Sequence, residues 1–474
     1  MNEKPLKLKD LRQNLAPYLY VWPKSPLTSS PVWREDPESR MLVRDMPEED
    51  AAVAADDQWP ALFPFPSSLV TTTDGERTGL EINVGASIVN RFPYVISLSL
   101  CKQNLSERYQ NTRTFMEILE RGGAVSIQLL PPGAELDRAL QVIQSTPETE
   151  TSNRIAQTGL AVRQAKTNPS AVFQAAYLVF EARLVKPGKD FSGHPIYPQP
   201  WVDAGSHRTY LLEINAIQLR QDIAIGKNQI LWRNSPGWHP NLEWEQTVFP
   251  GNDAIMKKLA YNKIYTPDYV FPSANTIAFE SDAVEDGMAI KYLAPLPEDQ
   301  VEVDNDRARW PSFFPSPMGL ITTWVADGVP NLMPCGSTTI ISRHPMIVVC
   351  CVASSAINER YTARATLEVI RRTKRFGCGI PFVHNAITTA IKYTGNVSHG
   401  LDPEKVKNSG LVVMSNEWSP ILRALPVHFD CEVIDETPLG THSMFMGEVR
   451  KIWARPDVTP EDPLEWSPWA DLAF

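Results

Sequence analysis

No stretch of this chain approaches the ~18 consecutive apolar residues of a membrane-crossing helix, so no membrane partner is expected. The start, Met1-Asn2-Glu3-Lys4-Pro5-Leu6-Lys7, lacks the apolar core of a secretory signal. Cysteine is sparse and scattered. There are six, five of them in the second half, and none has Cys-x-x-Cys spacing. That pattern argues against a disulfide framework or a zinc site and for buried free thiols in a reducing cytoplasm. Gly-x-Gly-x-x-Gly and Walker loops are missing, as are His-Glu-x-x-His and Gly-x-Ser-x-Gly. Nucleotide folds of the first two kinds are therefore unsupported, and no metal site is expected. Positive charge is also short. A formal net charge of -10 argues against nucleic acid as the main partner. It leaves room for a small anionic ligand, which needs only a local cationic site.

What the chain does have is repetition. Trp59-Pro60-Ala61-Leu62-Phe63-Pro64-Phe65-Pro66 returns as Trp310-Pro311-Ser312-Phe313-Phe314-Pro315-Ser316-Pro317. Each copy runs into a β-branched stretch, Leu69-Val70-Thr71-Thr72 and Leu320-Ile321-Thr322-Thr323. The echo continues in order through Asp74-Gly75 and Asp327-Gly328, then Arg91-Phe92-Pro93 and Arg343-His344-Pro345. Glu107-Arg108-Tyr109 and Glu359-Arg360-Tyr361 follow, then His207 with Leu212-Glu213-Ile214 and His442 with Gly447-Glu448-Val449. A repeat this long is a domain and not a solenoid unit. The expected domains are 1–240 and 241–474, each with a leader arm. The 41 prolines gather in those arms together with many aromatics, which points to extended segments wrapped on a core.

Local pattern sets the fold class. Leu320 to Val325 reads as a strand ending in a hairpin at Asp327-Gly328, and Ile347 to Val352 as a strand buried on both faces. Ala363, Leu367 and Ile370 have helical spacing. Phe376–Pro381, Val427–Val433 and Ser443–Val449 read as further strands. In the first half, Tyr94–Leu100, Tyr177–Leu184 and Tyr210–Leu219 are strands, and Phe115, Ile118 and Leu119 mark a helix. Thr114 and Glu117 have capping-box spacing. Pro131 to Pro169 reads as a longer, helical insertion. The expectation is a mainly β fold with α inserts (α+β), built as two small barrels.

Few residues point to chemistry by themselves. Cys335-Gly336-Ser337-Thr338-Thr339 could hold a phosphate or polyol through hydroxyls and backbone N–H groups. A plain Ser/Thr turn accounts for the same residues. Asn358-Glu359-Arg360-Tyr361-Thr362 stands at a helix mouth, where anions are favoured and Arg adds a donor fork. An N-cap at Thr362 beside a surface ion pair is the plainer reading. His442, just before a strand, is either a proton donor or a structural histidine. Lys405 and Lys407 read as a solvated face.

Taken in order, these pieces resemble the flavin reductase-like family of FMN-binding split barrels, in its flavoredoxin-type branch. The resemblance runs over roughly residues 310–455. It rests on Phe314-Pro315-Ser316-Pro317 leading into Leu320-Ile321-Thr322-Thr323, on Asp327-Gly328 and Asn331, and on Ser337-Thr338-Thr339. Ser342-Arg343-His344-Pro345, Arg360-Tyr361-Thr362, Cys431-Glu432-Val433 and His442 with Gly447-Glu448-Val449 continue it. Phe376 to Pro381 is similar to a family element in which Gly379 replaces the usual Asn. Gly395-Asn396-Val397-Ser398-His399 is similar to a Gly-x-x-Ser-Gly turn with His399 in place of Gly, and Lys405 falls where a family Lys follows.

The resemblance implies two tandem split barrels forming an intrachain pseudo-dimer. It implies bound FMN, with NADH or NADPH as electron donor. Cofactor contacts would fall on Thr323, Ser337, Thr338, Thr339, Arg360, Thr362 and Lys405, with His442 as the catalytic residue near the ring. The expected activity is that of an FMN-dependent oxidoreductase acting on a small organic substrate or supplying reduced flavin to a partner monooxygenase. The alternative is a cofactor-free barrel serving as a binding or scaffold protein. In the first half Gln110 replaces the Thr and Leu212 stands where Gly447 stands, so a degenerate first site is expected. Whether fused chains pair again stays open.

Overall fold

The structure is a computed structural model, and it describes residues 18–19, 28, 32–46, 65–66, 68–83, 86–90, 93–103, 112–130, 134–190, 192–221, 282–293, 319–354, 363–381 and 385–456. The Trp59-Pro60 and Trp310-Pro311 pairs, Arg360 and Thr362 lie outside these residues. No helix among the described residues is long and apolar enough to cross a membrane.

Two large antiparallel sheets dominate. A leader hairpin, β1 (Arg34–Glu35) and β2 (Leu42–Asp45), comes first. The first half then runs through β3 (Ser68–Thr73), β4 (Thr78–Asn83), β5 (Ser87–Asn90) and β6 (Val95–Cys101) to helix α1 (Arg113–Gly122). Strand β7 (Ala124–Leu129) leads to α2 (Ala134–Ser145) and α3 (Arg154–Thr158). A small pair, β8 (Val162–Gln164) and β9 (Ala171–Phe173), precedes β10 (Leu178–Leu184) and the long β11 (His207–Arg220). A second hairpin, β12 (Ala283–Glu285) and β13 (Met288–Tyr292), opens the second half.

The second half repeats this order. It has β14 (Gly319–Ala326), β15 (Val329–Cys335), β16 (Thr338–Arg343) and β17 (Met346–Ala353), then α4 (Ala365–Thr373) and β18 (Arg375–Ile380). Helices α5 (Asn385–Asn396) and α6 (Lys405–Asn408) follow. The pair β19 (Val413–Met414) and β20 (Ile421–Leu422) precedes β21 (Val427–Pro438) and β22 (His442–Ala454). The two sheets share one strand order. In the first it is β12-β13-β11-β10-β7-β3-β4, and in the second β1-β2-β22-β21-β18-β14-β15. In each, a further pair (β5 with β6, β16 with β17) joins the other stretch of the long last strand.

Local chemistry explains these elements. Gly328 takes φ +69 in the β14–β15 turn, a left-handed conformation that glycine adopts without a Cβ penalty. All eight residues of β17 are buried, as expected for a strand covered on both faces. Phe115, Met116 and Leu119 of α1 enter the first core, and Leu367 and Ile370 of α4 enter the second. The capping box at Thr114 is not formed. The N-cap is Thr112 without a side-chain cap bond, and the Thr114 hydroxyl bonds to the Glu148 carbonyl.

The structure corrects two expectations. The rings are not closed, because no strand pairing joins β4 to β5 or β15 to β16 among the described residues. The chain crosses each seam as a connection, while α1 packs on β3 and β4 and fills the core from the side. The segment from Pro131 to Pro169 is no insertion, since α2 and α3 have counterparts in α5 and α6. The element peculiar to the first half lies between β10 and β11. It is a hairpin of Gly188–Lys189 with Pro195–Ile196, followed by strand Trp201–Ala204.

The halves are bound through a shared apolar layer. Val89, Val95, Ile196, Tyr197 and Leu211 of the first pack with Ile341, Ile347, Val349, Met444 and Met446 of the second. Backbone bonds cross it as well, with Ser206 N–H donating to the His344 carbonyl at 2.7 Å. Each leader hairpin docks on a final strand. β2 pairs with β22 (Val43 opposite Trp453), and β13 pairs with β11 (Lys291 opposite Ile217). The hairpin that precedes the first half thus completes the second sheet.

Candidate functional site

The site grows from the turn between α5 and α6. Asp402 accepts from the Tyr393 hydroxyl at 2.6 Å, from Asn408 Nδ2 at 2.9 Å and from Glu404 N–H at 3.0 Å. Tyr393 is itself buried on α5, so the turn is tied to the core. This fixing turns Lys405 inward. Only 4% of it is exposed, and Nζ donates to the carbonyls of Val397 at 3.1 Å and Thr394 at 3.4 Å. Lys405 is therefore not on a solvated face, contrary to the reading of its neighbourhood as a charge run. No carboxylate lies within ion-pair distance of it among the described residues. Burial, with the like charge of Arg364 added, lowers its pKa from the ordinary lysine value to about 7 against the weaker pull of Asp402.

Arg364 is the N-cap of α4 and donates to the Gly395 carbonyl at 3.4 Å. Its charge also acts on Cys335, whose buried thiol is pushed up by desolvation against that pull. His399 completes the group. Its Nδ1 is buried without a partner among the described residues, and desolvation, then the Lys405 charge, lowers its pKa. Two cations and an imidazole therefore gather where α4 begins, beside the end of β15.

Ser337, Thr338 and Thr339 stand on the turn into β16. Thr338 faces the core. Its hydroxyl donates to the Cys335 carbonyl at 3.0 Å, and its side chain closes on Gly319, where a Cβ would come within 2.7 Å. Thr339 alternates to the other face, opposite Val349. It is fully buried, and its hydroxyl has no partner among the described residues. Ser337 is half-buried, and its carbonyl accepts from Cys351 N–H at 3.1 Å. Thr323 is buried in β14. Asn331 Nδ2 reaches its hydroxyl at 3.4 Å and that of Thr366 at 2.9 Å, tying β14, β15 and α4 together.

His442 begins β22 and sits opposite Ala353, while Thr338 sits opposite Cys350 on the other side of β17. The two are thus offset by about 10 Å along the sheet. Sequence reasoning missed what holds His442. Asn90, from the first half, accepts from the backbone N–H groups of Thr441 (3.0 Å) and His442 (3.1 Å). It also accepts from the Thr441 hydroxyl at 2.9 Å. The repeat had marked the adjoining Arg91-Phe92-Pro93 but not Asn90. Arg364 and His399 were likewise missed as a pair, because 35 positions separate them and only the α4 and α5 geometry joins them.

Two departures have packing reasons. A Cβ on Gly379 would lie 2.4 Å from Leu425 Cδ1, which leaves no room for the Asn of the resembling motif. A Cβ on Gly447 would lie 2.5 Å from the Phe376 ring. In the first half the corresponding pair is Leu212 with Val125, both in the core. The larger residue has changed partner, so Leu212 has a packing reason.

Among the described residues no group of three His, Cys, Asp or Glu could hold a metal ion. No curated protein matches the chain. Among solved structures it is similar to a flavoredoxin from Methanosarcina acetivorans, at 20% identity over 31% of this chain and 77% of that one, with a TM-score of 0.26. An FMN-binding protein from Thermus thermophilus is 16% identical over 30% of this chain and 72% of that one, with a TM-score of 0.25. A nitrilotriacetate monooxygenase component B from Bacillus cereus is 16% identical over 31% of this chain and 74% of that one, with a TM-score of 0.27. Residues 311–468 match the flavin reductase like domain family, and Thr323, Ser337, Thr338, Thr339, Lys405 and His442 all fall within that domain.

Proposed function

We propose that the chain is an FMN-binding oxidoreductase whose flavin site lies in the second half and whose electron donor is NADH or NADPH. The observation that carries this reading is Lys405, buried with no carboxylate within ion-pair distance among the described residues, beside Arg364 and inside the flavin reductase like domain. Asp402 acts on Lys405 at longer range, yet burial still lowers the lysine's pKa; a buried ammonium is costly, and a phosphate monoester in contact with it would offset that cost. The partnerless Thr339 hydroxyl and His399 Nδ1 fit a polyol phosphate as further hydrogen-bonding groups. Arg360 and Thr362 are assigned to the same phosphate by their place four and two residues before Arg364.

Bound FMN supplies two-electron chemistry at its ring system. The chain's own part is to bind and orient it and to hold a proton nearby. His442 is assigned that proton. Domains 1–240 and 241–474 are, in this reading, the two barrels of a pseudo-dimer, and the first contributes Asn90 to the second's site. Whether reduced flavin stays to act on a small organic substrate or leaves to serve a monooxygenase separates two forms of the proposal.

The test is flavin binding by the purified full chain. Visible flavin absorbance after gel filtration is expected, and Lys405→Met should weaken FMN binding roughly ten- to a hundredfold through loss of a charge-assisted contact. A chain that takes up no FMN would sink the reading and leave the scaffold alternative. NADH oxidation that needs added free flavin identifies the supplier form.

A further inference from the structure

The first half carries a counterpart of Lys405. Arg154 is the first residue of α3, as Lys405 is of α6. Each reaches back to a carbonyl at the end of the preceding helical segment. Arg154 Nε bonds to Thr146 at 2.8 Å, and Lys405 Nζ bonds to Val397 at 3.1 Å. Their surroundings then differ in one respect. Arg154 Nη1 is in direct contact with the Glu81 carboxylate, and both side chains are almost wholly buried. Glu81 lies opposite Val70 on β3, and the residue opposite the matching Ile321 on β14 is Met333. Where the first half has a carboxylate, the second has a thioether.

The turns before the two short helices differ in the same sense. Glu148 stands between α2 and α3, and His399 stands between α5 and α6. Glu148 accepts from Leu80 N–H at 3.3 Å beside the Arg154–Glu81 pair. Burial and the Glu81 charge push its pKa up to about 8. The first cluster thus holds two carboxyls against one guanidinium, whereas in the second, among the described residues, no carboxylate lies within ion-pair distance of Lys405 and Asp402 acts on it only at longer range.

We infer that the first half contains a second, self-occupied anion site, in which the Glu81 carboxylate takes against Arg154 the place that a phosphate monoester takes against Lys405. One chain then binds one flavin phosphate, although it carries two copies of the fold. This rests on the proposed flavin reading and goes beyond it, since it names the residue that silences the other site.

Calorimetric titration of the full chain with FMN, and separately with inorganic phosphate, tests it. The wild type is expected to saturate at one FMN. Lys405→Met should remove that event, and Arg154→Met should leave it. Glu81→Ala should add a second, weaker event that Arg154→Met then abolishes. Met333→Glu, which sets a carboxylate at the register position of Glu81, should lower affinity at least tenfold while a cooperative melt shows that the chain is folded. Two flavins on the wild type, one event surviving Lys405→Met but not Arg154→Met, or a folded Glu81→Ala chain still saturating at one, would each overturn the inference. No binding to the wild type would overturn the flavin reading itself. If Glu81→Ala does not fold, the two cation variants and Met333→Glu decide.

Discussion

Asn90 and Thr441 meet across the boundary between the halves, and their bond sets the tautomer of the neighbouring histidine. Asn90 Nδ2 donates to the Pro93 carbonyl at 2.8 Å, which orients the amide so that Oδ1 faces Thr441. Oδ1 can only accept, so the Thr441 hydroxyl donates to it at 2.9 Å. That hydroxyl must then accept from His442 Nδ1, 2.9 Å away. In neutral His442 the proton therefore sits on Nδ1 and the lone pair on Nε2. Asn90→Ala leaves three donors without their acceptor and is expected to cost roughly 3 kcal/mol, measured by chemical denaturation. Asn90→Asp keeps the acceptor and should cost less. Equal losses for the two variants would remove the tautomer argument.

In the proposed site, Lys405 is expected to make FMN affinity depend on pH. Its pKa in the folded chain is about 7, below the ordinary lysine value. Between about pH 7 and that value the unfolded chain binds the extra proton, so this group lets stability rise with pH across the window and opposes it below. A bound phosphate favours the charged form. FMN affinity should therefore fall as pH rises through 7, and Lys405→Arg, which stays charged, should flatten the profile. Titrations at several pH values read this directly, and an unchanged slope in Lys405→Arg would count against the role given to Lys405.

Glu148 acts in the opposite sense. Its folded pKa is raised to about 8, chiefly by burial. A raised carboxyl contributes stability that is present below its unfolded pKa and lost as pH rises through 8. Glu148→Gln, which mimics the protonated form, is expected to raise the melting temperature at pH 9 and to change it little at pH 5. Melting curves at the two pH values check this.

Asp430 and Glu181 hold matching outer loops to their sheets. Asp430, fully buried, accepts from the Ser419 hydroxyl at 2.6 Å, Asn416 Nδ2 at 2.7 Å and Trp453 Nε1 at 2.8 Å. Glu181, also buried, accepts from Lys166 N–H at 2.8 Å and from the Thr167 hydroxyl at 2.6 Å. Removing either carboxylate strands several buried donors. Asp430→Ala is expected to cost roughly 3 kcal/mol by urea unfolding.

Gly447 and Phe376 form a size-matched pair. Gly447→Leu alone should be destabilising by roughly 3 kcal/mol, because the new side chain meets the Phe376 ring. Phe376→Val alone opens a cavity and should cost about 2–3 kcal/mol. Combined, they reproduce the Leu212–Val125 arrangement, so the double variant is expected to be more stable than Gly447→Leu alone. Additive losses would show that the pairs are not interchangeable.

Much of the fold was legible because its signals are local. The alternation of Val427 to Val433, the apolar run at Ile347 and the Asp327-Gly328 turn depend on nearest neighbours along the chain. Boundaries were less legible. Strand β21 continues to Pro438 and β22 to Ala454, because pairing between them extends both beyond their apolar stretches. The site was legible only in part. Ser337 lies in the bend before β16, and within the strand alternation turns Thr338 into the core and leaves Thr339 on the opposite face. Lys405 looked solvated because the nearby Lys407 is charged; the Asp402–Tyr393 bond ties the turn before α6 back to α5, a contact that the sequence does not display.

The sequence by itself determined that one fold is written twice, since order and spacing of residues survive in the chain whatever its shape. It also determined the strand and helix types, which follow from side-chain periodicity. Only the tertiary structure decided which cations are already neutralised. Arg154 and Lys405 look alike in sequence. Arg154 meets the Glu81 carboxylate, a residue on a strand far away in the chain, and the register position of Glu81 in the second half holds Met333. Only the tertiary structure likewise assigned each leader hairpin to a sheet and gave Asn90 to His442. Hydrogen bonds and charges act through space at a few ångströms, and sequence separation carries no trace of that distance.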